Sequence, residues 1–507
     1  MASTRHVLLI EPFYGGSHGV LIDTVVRGLF AAREDPPGSS AEGDAAQGEP
    51  SEAAIGNAAT SFRVAARRGG SKSSPVETTF MRSRDDGLHV TTMTLSAKKW
   101  QWRLRTSAVL FANALFEACE AAQAACGDAD GSGGGESDDR SPCGSFHGWV
   151  RPQVVFLSSM TNAAELRGLV PWLHAAHVVL YFHENQLEYP TRSGDGRPKG
   201  GDAAATETDV ATTMSRGNGD FAFGWAQVVS CMAADRVLFN SRFNMTSFLE
   251  RIPRLLKTSP PPRIAATPLV DGIWRKSDVL YFPVPDIPRF RGPFGCRFNG
   301  GEQSPPLRVA WVGRWEYDKD PDFFFNAVMP IIEDDAERGA AVPAIQLIVL
   351  GEAFPTSPPV FSRVRDRLME HPGRFDRYVH HWGYANRNNP VGPDYCSLLA
   401  QADVVVSTAI HEFFGVGVLE AVAHGCYPLL RKNQVYPEFF DKPHLFATEA
   451  QLRKALVNLV RRPEIVRSDW AGFDVGARFS WAALAPAYLR ELRVDGPRAG
   501  KRMRDET

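Results

Sequence analysis

Short apolar runs, each closed by a glycine or polar loop and followed by a helix-like stretch, recur along most of this chain. HVLLI (6–10), VVFLS (154–158), HVVLYF (177–182) and RVLFN (236–240) form one series. LRVAWVG (307–313), IQLIVLG (345–351), DVVVSTA (403–409) and YPLL (427–430) form a second. Unbroken apolar runs of this length mark parallel strands covered on both faces, and parallel strands need crossover helices. Candidates for the crossovers are a periodic stretch from about Gly19, FAFGWAQVVSCM (221–232), a stretch from Pro321, and Val416 to His424 ended by Gly425. Proline suits a first helical turn because no amide donor is needed there. The pattern predicts an α/β protein of two Rossmann-like parallel-sheet domains facing each other across a cleft.

The domains are expected at 1–285 and 306–475, joined by a Pro- and Gly-rich linker, 286–305. Residues 476–507 read as a terminal helix and tail, with Pro486 inside the helix. Three low-complexity insertions, near 33–76, 127–142 and 191–220, interrupt the first domain; the first of them reads as poorly ordered. A hydrophobic fraction of 44% in 507 residues supplies more than one core. Fifty-six basic against 58 acidic side chains leave a net charge of -2, so a polyanionic partner must be held by a local patch. Seven cysteines without a CxxC pair favour a reducing compartment and give no zinc signature. No stretch of about 20 apolar residues occurs, and the N-terminal run breaks at Glu11. Neither a membrane helix nor a signal peptide is predicted, and the expected location is the cytoplasm, with the nucleus open.

Two motifs of the second domain carry chemistry. HEFFGVGVLEAVAHG (411–425) follows a strand, where α/β folds bind ligands. Phe414, Gly415 and Val416 would present amide donors at a helix N-terminus, suited to phosphate. Glu412 before the helix and Glu420 within it would accept hydrogen bonds from the hydroxyls of a hexose and a ribose. Ser407, Thr408 and His411 border the same place. In GRWEYDKDP (313–321), Arg314 and Lys319 are placed to neutralise a diphosphate leaving group without a metal. Asp318-Lys319-Asp320 superficially matches an Asp-x-Asp metal motif, but the lysine would repel the ion, and no metal is expected. Each motif also has a plainer reading: a capping Glu412 with a solvated Glu420, and a loop Arg–Asp pair.

The first domain adds three motifs. Gly15-Gly16-Ser17-His18 is neither GxGxxG nor a P-loop; it suits close approach to a phosphate or sugar, or simply a tight turn. YFHENQLEYP (181–190) places His183 at a strand end, able to bond a sugar hydroxyl or steady charge at the reacting carbon; HENQL is not the zinc motif HExxH. AKKWQWRLRTSA (97–108) interleaves Lys98, Lys99, Arg103 and Arg105 with Trp100 and Trp102. Such a patch pairs phosphates and stacks a splayed base, unless its tryptophans pack inward.

Together IEPFYGGSH, AKKWQWRLRTSA, YFHENQLEYP, WVGRWEYDKDP and STAIHEFFGVGVLEAVAHGCYPL resemble the retaining GT-B glycosyltransferases and, more narrowly, the tRNA-queuosine mannosyltransferase family. The resemblance covers most of 6–31, 90–118, 150–190, 221–285 and 307–490. It implies GDP-mannose as donor substrate, no permanently bound cofactor, and the queuosine base in the anticodon of tRNA(Asp) as acceptor. It implies that Glu412 contacts the donor hexose, Glu420 the ribose, and Arg314 and Lys319 the diphosphate. His183 takes the role of an active-site histidine, and Gly16 that of the glycine loop. It also implies that the last helix crosses back to the first domain. No membrane and no obligate protein partner are implied. The residues by themselves leave open a glycosyltransferase with a small or lipid-linked acceptor, and a noncatalytic sugar-nucleotide- or RNA-binding scaffold.

Overall fold

The computed structural model describes residues 6–31, 59–63, 75–83, 87–127, 151–188, 220–259, 261–285, 305–386, 394–467 and 473–494. The linker at 286–304 and nearly all of the 127–142 and 191–220 insertions lie outside these residues. Two compact units result: Met1–Tyr281 with Leu484–Thr507, and Phe282–Ala483.

The first unit is built on an eight-stranded sheet. Its strands are β1 (His6–Tyr14), β2 (Ala59–Arg63), β3 (Glu77–Ser83), β4 (His89–Ser96), β5 (Val154–Ser158), β6 (His177–Phe182), β7 (Arg236–Phe239) and β8 (Ser277–Val279), in the order β2-β3-β4-β1-β5-β6-β7-β8. From β4 to β8 every pairing is parallel; β2, β3 and β4 pair antiparallel. Apolar strands β5 and β6 fall where the sequence puts them, whereas the β3–β4 hairpin does not announce itself. Its threonines alternate with no clear apolar face, yet Thr91, Thr92 and Thr94 are buried beside β1. Within the segment read as an insertion, Ala59–Arg63 forms the edge strand β2. Helices α1 (Gly16–Ala31), α2 (Trp100–Gly127), α3 (Ala163–Leu169), α4 (Asp220–Ala233), α5 (Arg242–Lys257) and α6 (Ala266–Trp274) belong to the same unit. Its main core joins Leu8, Ile10, Phe111, Leu157, Phe182 and Phe239.

The second unit has six strands, all parallel: β9 (Leu307–Val312), β10 (Ile345–Leu350), β11 (Val379–Gly383), β12 (Val404–Ser407), β13 (Tyr427–Arg431) and β14 (Leu445–Phe446). Their order, β11-β10-β9-β12-β13-β14, is the 3-2-1-4-5-6 order of the dinucleotide-binding fold. Val404, Val405 and Val406 are fully buried, as a central parallel strand requires; each such side chain contributes about 1.5–3 kcal/mol by burial. Helix α7 (Pro321–Arg338) begins where sequence reasoning puts it: Pro321 opens the first turn, and Asp320 accepts the Phe323 amide at 3.4 Å. It ends at Gly339, whose φ of 61° suits a residue without a Cβ. Helix α8 (Val416–Ala423) follows β12, and Gly425 with φ 97° closes its turn.

The chain returns to the first unit at its end. In α9 (Trp481–Glu491), Tyr488 donates to the Tyr281 carbonyl at 3.0 Å, and Glu491 pairs with Arg236 at 3.0 Å. Among the described residues, no helix is long and apolar enough to cross a membrane.

Candidate active site

In the second unit the strand order reverses between β9 and β12, so the loops after these strands diverge and leave a crevice. A cavity of about 100 Å³ lies there, lined among others by Gly313, Lys319, Ser407, Glu412, Gly415 and Tyr436. Lys319 is its charged centre. Nζ donates to the His411 carbonyl at 3.0 Å and to Glu412 Oε2 at 3.2 Å, and sits 3.3 Å from Asp318. Burial alone would lower its proton affinity; the Glu412 and Asp318 carboxylates outweigh it and hold the ammonium above the ordinary lysine range.

Glu412 bridges this cation and the helix behind it, since Oε1 accepts the Gly415 amide at 3.1 Å. The plainer capping reading thus describes one of its oxygens, and its second oxygen faces Lys319. Gly415 has φ 80°, and a Cβ there would lie 3.0 Å from the Tyr436 ring. Val416 opens α8. The Phe414 side chain belongs to the core, its ring centre 5.8 Å from Phe282 and 5.3 Å from Phe439 and Phe479, so only its backbone is available to a ligand. Glu420 is buried, does not line the cavity, and accepts the Tyr395 hydroxyl at 3.2 Å. Arg314 is also outside the lining. Its guanidinium is half-exposed and pairs with Glu316 at 3.0 Å. The two carboxylates of the DKD stretch diverge, Asp318 to Lys319 and Asp320 to Arg431 at 2.7 Å.

Sequence reasoning passes over three residues here. Tyr436 donates to Ser407 Oγ at 2.7 Å and fixes that hydroxyl on the cavity wall. Tyr395 orients Glu420. Gly351, just after β10, passes so close to the neighbouring loop that a Cβ would lie 2.0 Å from the Gly313 carbonyl oxygen. None belongs to a motif; the glycine closing IQLIVLG is the one signal available.

In the first unit the corresponding reversal lies between β1 and β5. Gly16 has φ 52°, and a Cβ on Gly15 would meet the Ala97 Cβ at 2.6 Å. The glycine loop is therefore a tight turn seated against the segment that opens α2. His18 in α1 stacks on His183, ring centres 3.8 Å apart, and Glu11 Oε2 lies 3.1 Å from His18 Nδ1 and 3.7 Å from His183 Nε2. Burial first, and His18 second, hold the His183 imidazole well below its ordinary proton affinity. The rest of HENQ is scaffolding in part: Asn185 is buried and donates to Asn244 Oδ1 at 2.8 Å, and the Gln186 amide donates to Gln227.

The basic patch is on the surface. Lys98, Lys99 and Arg105 are exposed, Trp102 is 59% exposed and Trp100 38%. Arg105 lies over the Phe223 ring at 4.9 Å, and Arg103 reaches back to Ser96 Oγ at 3.1 Å. Trp102 projects from the surface, whereas Trp100 lies against the buried Phe223 ring at 5.7 Å, so inward packing describes one of the two tryptophans.

Two α/β units with largely parallel sheets, the second with nucleotide-fold strand order and a cation at its switch point, are the architecture of the GT-B glycosyltransferases. Sucrose-phosphate synthase of Thermosynechococcus elongatus superposes on 96% of the chain and 98% of its own, with a TM-score of 0.52 at 13% identity. The catalytic domain of starch synthase IV from Arabidopsis thaliana covers 97% and 99%, with a TM-score of 0.51 at 12% identity. These likenesses speak to the fold alone. Residues 306–461 match the family model for glycosyl transferases group 1, and residues 143–284 the one for tRNA-queuosine alpha-mannosyltransferase N-terminal. A Drosophila melanogaster tRNA-queuosine alpha-mannosyltransferase is 30% identical over 493 residues, 96% of this chain and 95% of its own. The chain belongs to the tRNA-queuosine alpha-mannosyltransferase family.

Proposed function

We propose that the chain moves mannose from GDP-mannose to a hydroxyl of the queuosine base in the anticodon of tRNA(Asp), with retention at the anomeric carbon. Family membership supports the sugar and the modified base. The observation that carries the donor half is Lys319, a largely buried ammonium held charged beside Glu412 at the start of α8. A diphosphate arriving there exchanges for Glu412 on the ammonium, and the released carboxylate accepts hydroxyls of the hexose. Arg314 on the adjoining loop supplies a second cation, and Glu420 takes the ribose. The bond from the anomeric carbon to the phosphate oxygen breaks with its electron pair going to GDP. The acceptor oxygen bonds the carbon on the same face, and its proton passes to the departing phosphate. Fixed cations rather than a metal stabilise that phosphate in this reading, and no cofactor remains bound.

The acceptor half rests on the exposed tryptophans and cations from Lys98 to Arg105, which suit a splayed anticodon loop better than a duplex. This reading needs no protein partner and no membrane, and sets the reaction in the cytoplasm, with the nucleus as a second setting. Purified protein is incubated with labelled GDP-mannose and matched tRNAs carrying queuosine or guanine, and the digested nucleosides are weighed. A hexose on queuosine alone is expected. Transfer to a small acceptor, with none to the queuosine tRNA, would promote the other glycosyltransferase reading.

A further inference from the structure

Glu11 lies in the buried part of β1 with no exposed surface. One carboxylate oxygen accepts the Phe13 amide at 2.8 Å. The other faces two imidazoles, His18 Nδ1 at 3.1 Å and His183 Nε2 at 3.7 Å. A buried carboxylate is not stable as a lone charge. Two imidazolium rings stacked at 3.8 Å would repel, so one of them carries the compensating proton. His18 is nearer to the carboxylate and keeps 12% of its side chain exposed, against 6% for His183. Burial and the neighbouring His18 both disfavour a charge on His183. The Tyr181 ring stands edge-on to His183 at 5.1 Å from within β6, Asn240 on the chain after β7 donates to its carbonyl at 2.7 Å, and Glu184 follows it in the chain.

The same three ligand atoms lie within 4.8 Å of one another, a spacing that also suits a small cation. The rings are only 28° from parallel, however, so their in-plane lone pairs run side by side rather than toward one point. The stack fits an ion pair with a neutral ring laid against it.

We propose that Glu11 and His18 are positioning residues for the transfer, their ion pair holding the His183 ring in one plane and uncharged where the first unit meets its substrate. The proposal rests on the transfer reading above. Glu11→Gln is nearly isosteric, and thermal unfolding checks that it and His18→Gln fold. Imidazole nitrogen NMR on the full chain, with His18→Gln and His183→Gln spectra for assignment, reads the charges without assuming any reaction. At pH 7 the wild type should show a cationic His18 and a neutral His183, and Glu11→Gln should leave both neutral. In transfer assays each variant should lose about a hundredfold in kcat, as a misplaced reacting group does, with affinity for GDP kept within about twofold. The acid limb of the kcat profile should move up in pH for His18→Gln, which leaves the Glu11 anion unbalanced beside His183, and stay nearly in place for Glu11→Gln, which removes that anion and the His18 charge together. A merely structural pair would move both limbs alike or neither. Two neutral rings in the wild type would overturn the proposal. So would one equivalent of a divalent cation in the purified protein that both variants lose. Wild-type rates in both variants sink the positioning role and leave the transfer reading. No transfer by wild-type protein, with the stated charges observed, sinks the reading and leaves the ion pair.

Discussion

In the second unit a largely buried lysine sits between two carboxylates; in the first a fully buried carboxylate sits between two imidazoles. Both clusters occupy the reversal point of a parallel sheet, where diverging loops leave room. They differ in what can leave. The Glu412 side chain is 24% exposed and Arg314 beside it 54% exposed, so the second cluster can trade a carboxylate for an incoming anion. Glu11 is sealed at 1%, and its partners are held by stacking and by a glycine turn pressed on Ala97. Equivalent places in two related sheets thus carry an exchangeable charge in one case and a fixed one in the other.

The sharpest way to break the comparison is to remove the exchangeable cation. Lys319→Ala should lower kcat/KM by a hundredfold or more, in line with a lost transition-state donor worth about 3 kcal/mol, read by initial rates on the queuosine tRNA. Because Lys319 is held above the ordinary lysine value of about 10.4, the stability its pairing adds is fully present at neutral pH. That stability is lost only as pH rises through the higher folded-state value. Thermal unfolding of wild type and Lys319→Ala should therefore differ by a constant amount from pH 6 to 9. Gly351→Ala tests the loop that frames the cluster. A Cβ 2.0 Å from the Gly313 carbonyl forces the backbone apart, and a loss of about 1–3 kcal/mol in denaturant unfolding is expected.

Neutralising Lys98, Lys99, Arg103 and Arg105 together should weaken tRNA binding and lower the slope of log affinity against log salt by about 3 if all four touch phosphate, while GDP binding stays unchanged. Arg314→Ala should slow transfer more than it lowers the unfolding temperature, since its guanidinium is half in solvent and adds little to stability. The smallest effect belongs to Tyr436→Phe. Losing its bond to Ser407 costs about 1 kcal/mol, a few-fold rise in donor KM.

Most of the two sheets was legible because parallel strands buried on both faces leave unbroken apolar runs, as at VVFLS and HVVLYF. The β3–β4 hairpin was not, because Thr91, Thr92 and Thr94 are buried by pairing with β1 rather than by their own hydrophobicity. Lys319 and Glu412 were legible as loop residues after strands, a placement that fixes chemistry within a few ångströms. The Glu11–His18–His183 cluster joins a residue of β1, one of α1 and one just after β6, and no local spacing announces that meeting. In the sequence Arg314 and Lys319 are indistinguishable, both cations on one loop. The turn at Tyr317–Lys319 instead points one inward and leaves the other on the rim.

The return of the chain end to the first unit sets an order of assembly. Arg236 reaches the Glu491 carboxylate through two hydrogen bonds that span 255 positions, and Tyr488 closes on Tyr281 across 207. Closing such contacts late in synthesis means that the second unit, Phe282–Ala483, has every one of its strands before the first receives its last helix. On the ribosome the nucleotide-fold half is complete first, and the unit that began the chain is the one that finishes last.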